Sequence, residues 1–137
     1  MAQFDPSTHG NMPHFTYPGT MPSLNEYLSA VGRHPKAGNT MKQKFIRDLS
    51  WCIRGDLKKW HTDKPVILHY IFYEPNKKRD KDNIFSTCSK YTQDCLQKCG
   101  VIPNDGWANI VNFTHDFYID AIRPRVEVYI EEVATDG

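Results

Sequence analysis

The sequence predicts an α+β fold in one domain, with a mixed β-sheet of about four strands packed with helices. Three observations carry that prediction. Val66 to Tyr73 is a near-continuous run of β-branched and aromatic residues, as expected of a central strand buried on both faces. Two segments, 41 to 61 and 83 to 98, repeat their apolar residues at helical intervals. Near the end, Val126, Val128 and Ile130 alternate with Glu127, Tyr129 and Glu131, the pattern of a strand with one covered face. A chain of 137 residues, 39% hydrophobic and 12% aromatic, suits a single core. The domain is expected over residues 13–133, after a loose polar tail at 1–12.

Taken in order, His14 to Tyr17 reads as a short edge strand stopped by Pro18 and Gly19. Ser23 with Glu26 has the capping-box form, in which hydroxyl and carboxylate satisfy the free amides of a first helical turn. Gly32 to Asn39, with one Pro and two Gly, reads as a loop. Thr40 with Gln43 repeats the capping pattern, and Phe45, Ile46, Leu49, Cys52, Ile53, Leu57 and Trp60 then mark a long amphipathic helix over 41–61. The central strand follows at 66–73 and is closed by Pro75. After a charged loop, Ile84, Cys88, Tyr91, Cys95 and Cys99 share one face of a helix over 83–98, which ends before Gly100, a common C′ residue. Pro103 to Gly106 forms a turn, and strands are expected at about 110–119 and 125–131.

Composition narrows the function classes. With 17 Lys plus Arg against 16 Asp plus Glu the formal charge is only +1, which excludes a uniformly basic coat. Residues 33–64 nevertheless carry nine basic side chains against three acidic ones, a local balance of +6, while seven acids follow Gly100 against Arg123 and Arg125. Such polarity fits a basic face for a polyanion, and equally a solvated helix surface. No apolar run approaches the roughly 18 residues of a membrane span, and the beginning of the sequence lacks the blocks of a signal peptide, so a cytoplasmic protein without a membrane partner is expected. The cysteines, Cys52, Cys88, Cys95 and Cys99, form no CxxC pair. They read as reduced core residues rather than zinc ligands. His69, inside the central strand, reads as a paired sheet residue.

The stretch with most chemical content is Arg79-Asp80-Lys81-Asp82-Asn83, where the central strand gives way to a helix. Two carboxylates two residues apart can serve one hard cation, and Mg²⁺ takes one or two carboxylates together with waters and phosphate oxygens. Lys77, Lys78, Arg79 and Lys81 surround them as candidate phosphate contacts, joined by Lys42 and Lys44 of the basic helix. Acids that gather a metal amid bases that gather phosphate fit phosphodiester hydrolysis. The same cluster also reads as a helix N-cap with an Asx turn. A calcium loop of the EF-hand kind is excluded, because Phe85 and Tyr91 stand where Gly and Glu would be needed. An acid-x-Lys triplet, Asp56-Leu57-Lys58, falls inside a predicted helix and is set aside. Asp105, in the turn after the helix, is a third acid, and Lys90 lies about 12 Å along the helix from Asp82.

Together, Arg79-Asp-Lys-Asp-Asn-Ile84, Lys90 with Asp94-Cys-Leu96, Cys99-Gly-Val-Ile-Pro-Asn-Asp105 and Pro124-Arg-Val-Glu-Val128 resemble the RusA family of Holliday junction resolvases. The likeness is greatest to the versions of phages and prophages of Gram-positive bacteria, where Leu24-Asn-Glu-Tyr27 and Ile102 to Trp107 also have counterparts, and it covers roughly residues 14–132. The resemblance implies a RusA-like homodimer and a Mg²⁺-dependent endonuclease, with Mn²⁺ as a substitute, that cuts four-way DNA junctions by paired incisions. It places the metal ligands on Asp80, Asp82 and Asp105 and the catalytic lysine on Lys90. The founding members of the family carry that lysine four residues after the second Asp, where this chain has Ser86, so Lys81 stays open as the alternative. Two competing readings remain: a nuclease for flaps or other branched DNA, and a non-catalytic nucleic-acid-binding protein using the basic helix.

Overall fold

The computed structural model describes residues 2–134. They form a single α+β domain in which helices cover one face of a four-stranded mixed sheet. Strand β1 is His14–Pro18, β2 Val66–Glu74, β3 Ile110–Ile119 and β4 Arg125–Glu132. Helices α1, α2 and α3 span Leu24–Arg33, Pro35–Leu57 and Lys81–Lys98. The strand order is β1-β4-β2-β3. β4 runs antiparallel to both of its neighbours, whereas β2 and β3 are parallel and joined through α3. A parallel pair needs such a crossover, and it delivers the α3 N-terminus to the carboxyl end of β2.

The core lies between the sheet and the helices. Leu68, Tyr70 and Phe72 of β2 meet Leu49 and Ile53 of α2 and Ile84, Cys88 and Leu96 of α3, all essentially inaccessible to solvent. Cys88 and Cys95 are therefore packed as small apolar groups, and burial pushes the Cys88 thiol up to about 12. α3 ends as expected, with Gly100 at φ +77° while the Val101 amide returns to the Leu96 carbonyl at 2.9 Å.

Two expectations need correction. Segment 32–39 is not a loop, because α2 begins at Pro35, six residues before the predicted start. His34 closes α1 and also caps α2, its Nδ1 accepting from the Lys36 amide at 3.1 Å, and Pro35 stands at the first turn, where the missing N–H matters least. Thr40 and Gln43 are consequently mid-helix rather than a cap. α2 also stops at Leu57 instead of 61, since Lys58 adopts a positive φ of 57°. The second correction concerns residues 1–12, expected as a loose tail. Most of the described ones are exposed, but Gln3, Phe4 and Met12 fasten the segment to the sheet, with Phe4 only 6% exposed and stacked on His69 at 4.0 Å between ring centroids on the face opposite the helices. A short 3₁₀ turn, Pro6–Thr8, is capped by Asp5.

Candidate functional site

Loop 75–80 connects β2 to α3, and Arg79 fixes its shape. The guanidinium donates to both carboxylate oxygens of buried Glu74 at 3.0 Å, to Glu26 of α1 at 2.8 Å and to the Met21 carbonyl at 2.7 Å. Burial works against its charge, but the bonds to Glu74 and Glu26 outweigh that and hold the Arg79 pKa above its ordinary value. Every branch of the fork is engaged, so Arg79 is a strut rather than the phosphate contact its sequence neighbours suggested. Glu26 shows the same diversion. Ser23 caps α1 through the Glu26 amide at 3.2 Å, while the Glu26 carboxylate serves Arg79.

The strut delivers Asp80 to the N-cap of α3 and Asp82 to its first turn. The helix-capping reading of this pair fails in one respect, since the Asp80 side chain makes no capping hydrogen bond. Its carboxylate is exposed at the positive end of an 18-residue helix, an end suited to anions. Lys77, Lys78, Lys81 and Asp82 are exposed around it.

Between the start of α3 and the free edge of β3 runs a cleft of about 750 Å³, lined by Lys81, Asp82 and Ser86 on one side and His115, Asp116 and Phe117 on the other. Asp116 was not singled out from the sequence. It is 8% exposed, and its two oxygens accept from the Gln3 and Phe4 amides at 2.8 and 3.0 Å. Gln3 also accepts from the His115 amide through its side chain at 2.6 Å, so the first residues close one end of the β3 edge. Nothing near Asp116 in sequence announces this role, because its partners are more than 110 positions away.

The structure separates the other predicted residues. Asp105 lies in the turn before β3, whose first residue pairs with Val66 at the start of β2, whereas Asp80 and Asp82 follow the far end of β2. The intervening ten-residue strand rises about 3.3 Å per residue, which puts Asp105 on the order of 30 Å from the other two. The three carboxylates therefore do not converge within one protomer. Among the described residues, no three His, Cys, Asp or Glu side chains form a metal-binding group. Lys90 is exposed two turns along α3 and lines no part of the cleft, whereas Lys81 does, with its ammonium 5.7 Å from the Phe117 ring centre. Lys42 rests 5.8 Å from the Tyr91 ring, and Lys44 is exposed on the outer side of α2.

The remaining sequence candidates have structural explanations. Asp56 of the acid-x-Lys triplet accepts from the Thr16 amide of β1 at 2.8 Å. His69 is bonded on both ring nitrogens, to Thr114 at 2.6 Å and Glu131 at 2.8 Å. Among the described residues no helix is long and apolar enough to cross a membrane. Compared with known proteins, the chain matches no family model and no curated protein sequence.

Proposed function

We propose that the protein is a Mg²⁺-dependent structure-specific endonuclease acting on branched DNA, the four-way junction first, and that it works as a homodimer. The observation that carries this reading is the cleft at the α3 N-terminus, where Lys81 and Asp82 line one wall and Asp116 belongs to the other, with exposed Asp80, Lys77 and Lys78 in the adjoining loop. Ligand sites of α/β sheets favour the carboxyl ends of parallel strands, and this cleft lies at that end of the β2–β3 pair.

The donor set fits Mg²⁺, which needs only one or two carboxylates beside water and phosphate oxygens. Asp82, with Asp80 at the same helix start or Asp116 across the cleft, supplies that number within one chain. When bound, the ion would offset charge on the phosphoryl oxygens and favour ionisation of an attacking water. The chain itself would hold and orient the substrate. Lys77, Lys78 and Lys81 would supply positive charges for phosphates, and the Arg79 strut holds the loop from which α3 starts, with Asp82 at the cleft. Asp105 can join such a site only from a second copy of the chain, which ties the acid triad of the resemblance to a two-fold dimer. Matched cuts in a junction of approximate two-fold symmetry call for the same arrangement.

The test is Asp82→Asn assayed on junction, flap and linear duplex substrates. Junction binding is expected to persist while Mg²⁺-dependent cleavage falls at least about 100-fold, the scale of removing one electrostatic contact to the transition state. Unchanged cleavage would remove Asp82 from the mechanism, and equal cleavage of linear duplex would remove structure specificity. Failure to cleave with any divalent metal would leave a non-catalytic binding protein.

A further inference from the structure

Two indoles stand largely in solvent, Trp107 at 97% exposure ahead of β3 and Trp51 on α2, and the second is flanked by cations of its own helix. Trp51 is 80% exposed, far outside the usual range for an indole in a folded domain. Arg47 and Arg54, four residues before it and three after, share its helix face, and Lys44 continues the row. One acid borders that row: Asp48 lies about 40° around the helix from Lys44 and about 60° from Trp51, and it stands 3.9 Å from Arg47 in a largely exposed pair. Arg47, Trp51 and Arg54 border a shallow depression of about 240 Å³ with Ser50 and, from the last turn of α3, Lys98. The Ser50 hydroxyl is buried beside the Cys95 thiol.

From these observations we infer that the Trp51 face of α2 is a second nucleic-acid contact, one that takes an unpaired DNA strand. A base stacks on the indole, and the phosphates on either side meet Arg47, Arg54 and Lys98. Base–aromatic stacking is indifferent to sequence, and a cationic row beside the aromatic is the usual companion for single strands. An apolar protein partner would be poorly served by three cations around one indole, whereas a polyanion with flat bases matches both features. Lys98 and Asp82 lie near opposite ends of α3, about 24 Å apart along its axis, so this contact is spatially separate from the cleft. It extends the proposed function by supplying grip on strands that a branch leaves unpaired, and it rests on that reading for the choice of DNA as the polyanion.

The experiment is fluorescence anisotropy of a labelled single-stranded oligo-dT with the full chain in EDTA, where no metal-dependent cleavage can intervene. Trp51→Ala is expected to weaken binding about ten-fold or more, and Trp51→Phe to retain most of it. Arg47→Ala combined with Arg54→Ala should reduce the slope of log affinity against log salt by about 1.4, the loss of two phosphate contacts to a single strand. Circular dichroism and Tm of each variant check that the fold is kept, as the exposure of Trp51 predicts. Unchanged oligo-dT affinity in Trp51→Ala would overturn the inference, as would a fall in sedimentation mass showing that the indole joins two copies. The outcomes stay separable from those of the cleft. Trp51-dependent binding without any cleavage supports this contact and defeats the nuclease reading, and Asp82-dependent cleavage without Trp51-dependent binding does the reverse.

Discussion

Arg79 has fixed geometry and a role different from that of its lysine neighbours. Its removal strands the buried Glu74 carboxylate, so Arg79→Ala should destabilise the fold by about 3 kcal/mol in urea denaturation. Arg79→Lys should recover only part of that, because an ammonium cannot span both Glu74 oxygens. A phosphate-binding arginine would show the opposite profile, weaker DNA binding at unchanged stability. Among the thiols, Cys88 combines complete burial with a pKa raised to about 12, so at pH 8 it should resist iodoacetamide in the native protein and react after unfolding, as read by mass spectrometry. The period of Ile84, Cys88, Tyr91 and Cys95 made this packing legible in the sequence, since a helical stripe states which side chains face inward. The diversion of Arg79 was not legible. Its partners are Glu74, Glu26 and Met21, and only the folded chain brings the last two to loop 75–80.

The helices and strands differ in how plainly the sequence announces them. β3 matches its predicted bounds, and β2, β4 and α3 match theirs to within two residues, because each is framed by Pro, Gly or charged turns and has a consistent period. The α1–α2 junction was missed for a physical reason. Gly38, which reads as a breaker, lies within α2 against Val31 of α1, and a Cβ there would stand 2.4 Å from the Val31 Cγ2 atom. The glycine thus records helix proximity rather than a turn. Gly38→Ala should gain up to about 1 kcal/mol in helix propensity and lose about 1–3 kcal/mol to overpacking, a net loss measurable as a lower Tm. The contrast is Leu49 on the same helix, fully buried against the sheet, where truncation to Ala should cost about 2–5 kcal/mol.

For the whole molecule, the βαβ crossover places Asp82 and Asp105 at opposite ends of a parallel strand pair, and this makes subunit sharing testable. If Asp105 acts across the dimer, Asp82→Asn and Asp105→Asn homodimers should each be inactive, and mixing them under conditions of subunit exchange should restore cleavage. A heterodimer then assembles one intact site from two defective chains. Absence of any recovery, with exchange verified, would remove Asp105 from the site. The near-zero net charge takes on spatial meaning at this scale. Five of the nine basic residues of segment 33–64 lie on α2, while the described acids after Gly100 are distributed along β3, β4 and their turns, so binding should be salt-sensitive despite a formal charge of +1.

The two backbone amides that hold Asp116 also make an internal reporter. Donors close to the start of a chain ordinarily exchange with solvent within moments, yet those of Gln3 and Phe4 are tied to a largely buried carboxylate and should be protected in hydrogen-exchange measurements. Asp116→Asn should weaken that protection. A cation drawn onto the Asp116 oxygens would compete with the same two N–H groups, so faster exchange on adding Mg²⁺ would register occupancy of the cleft before any DNA is present.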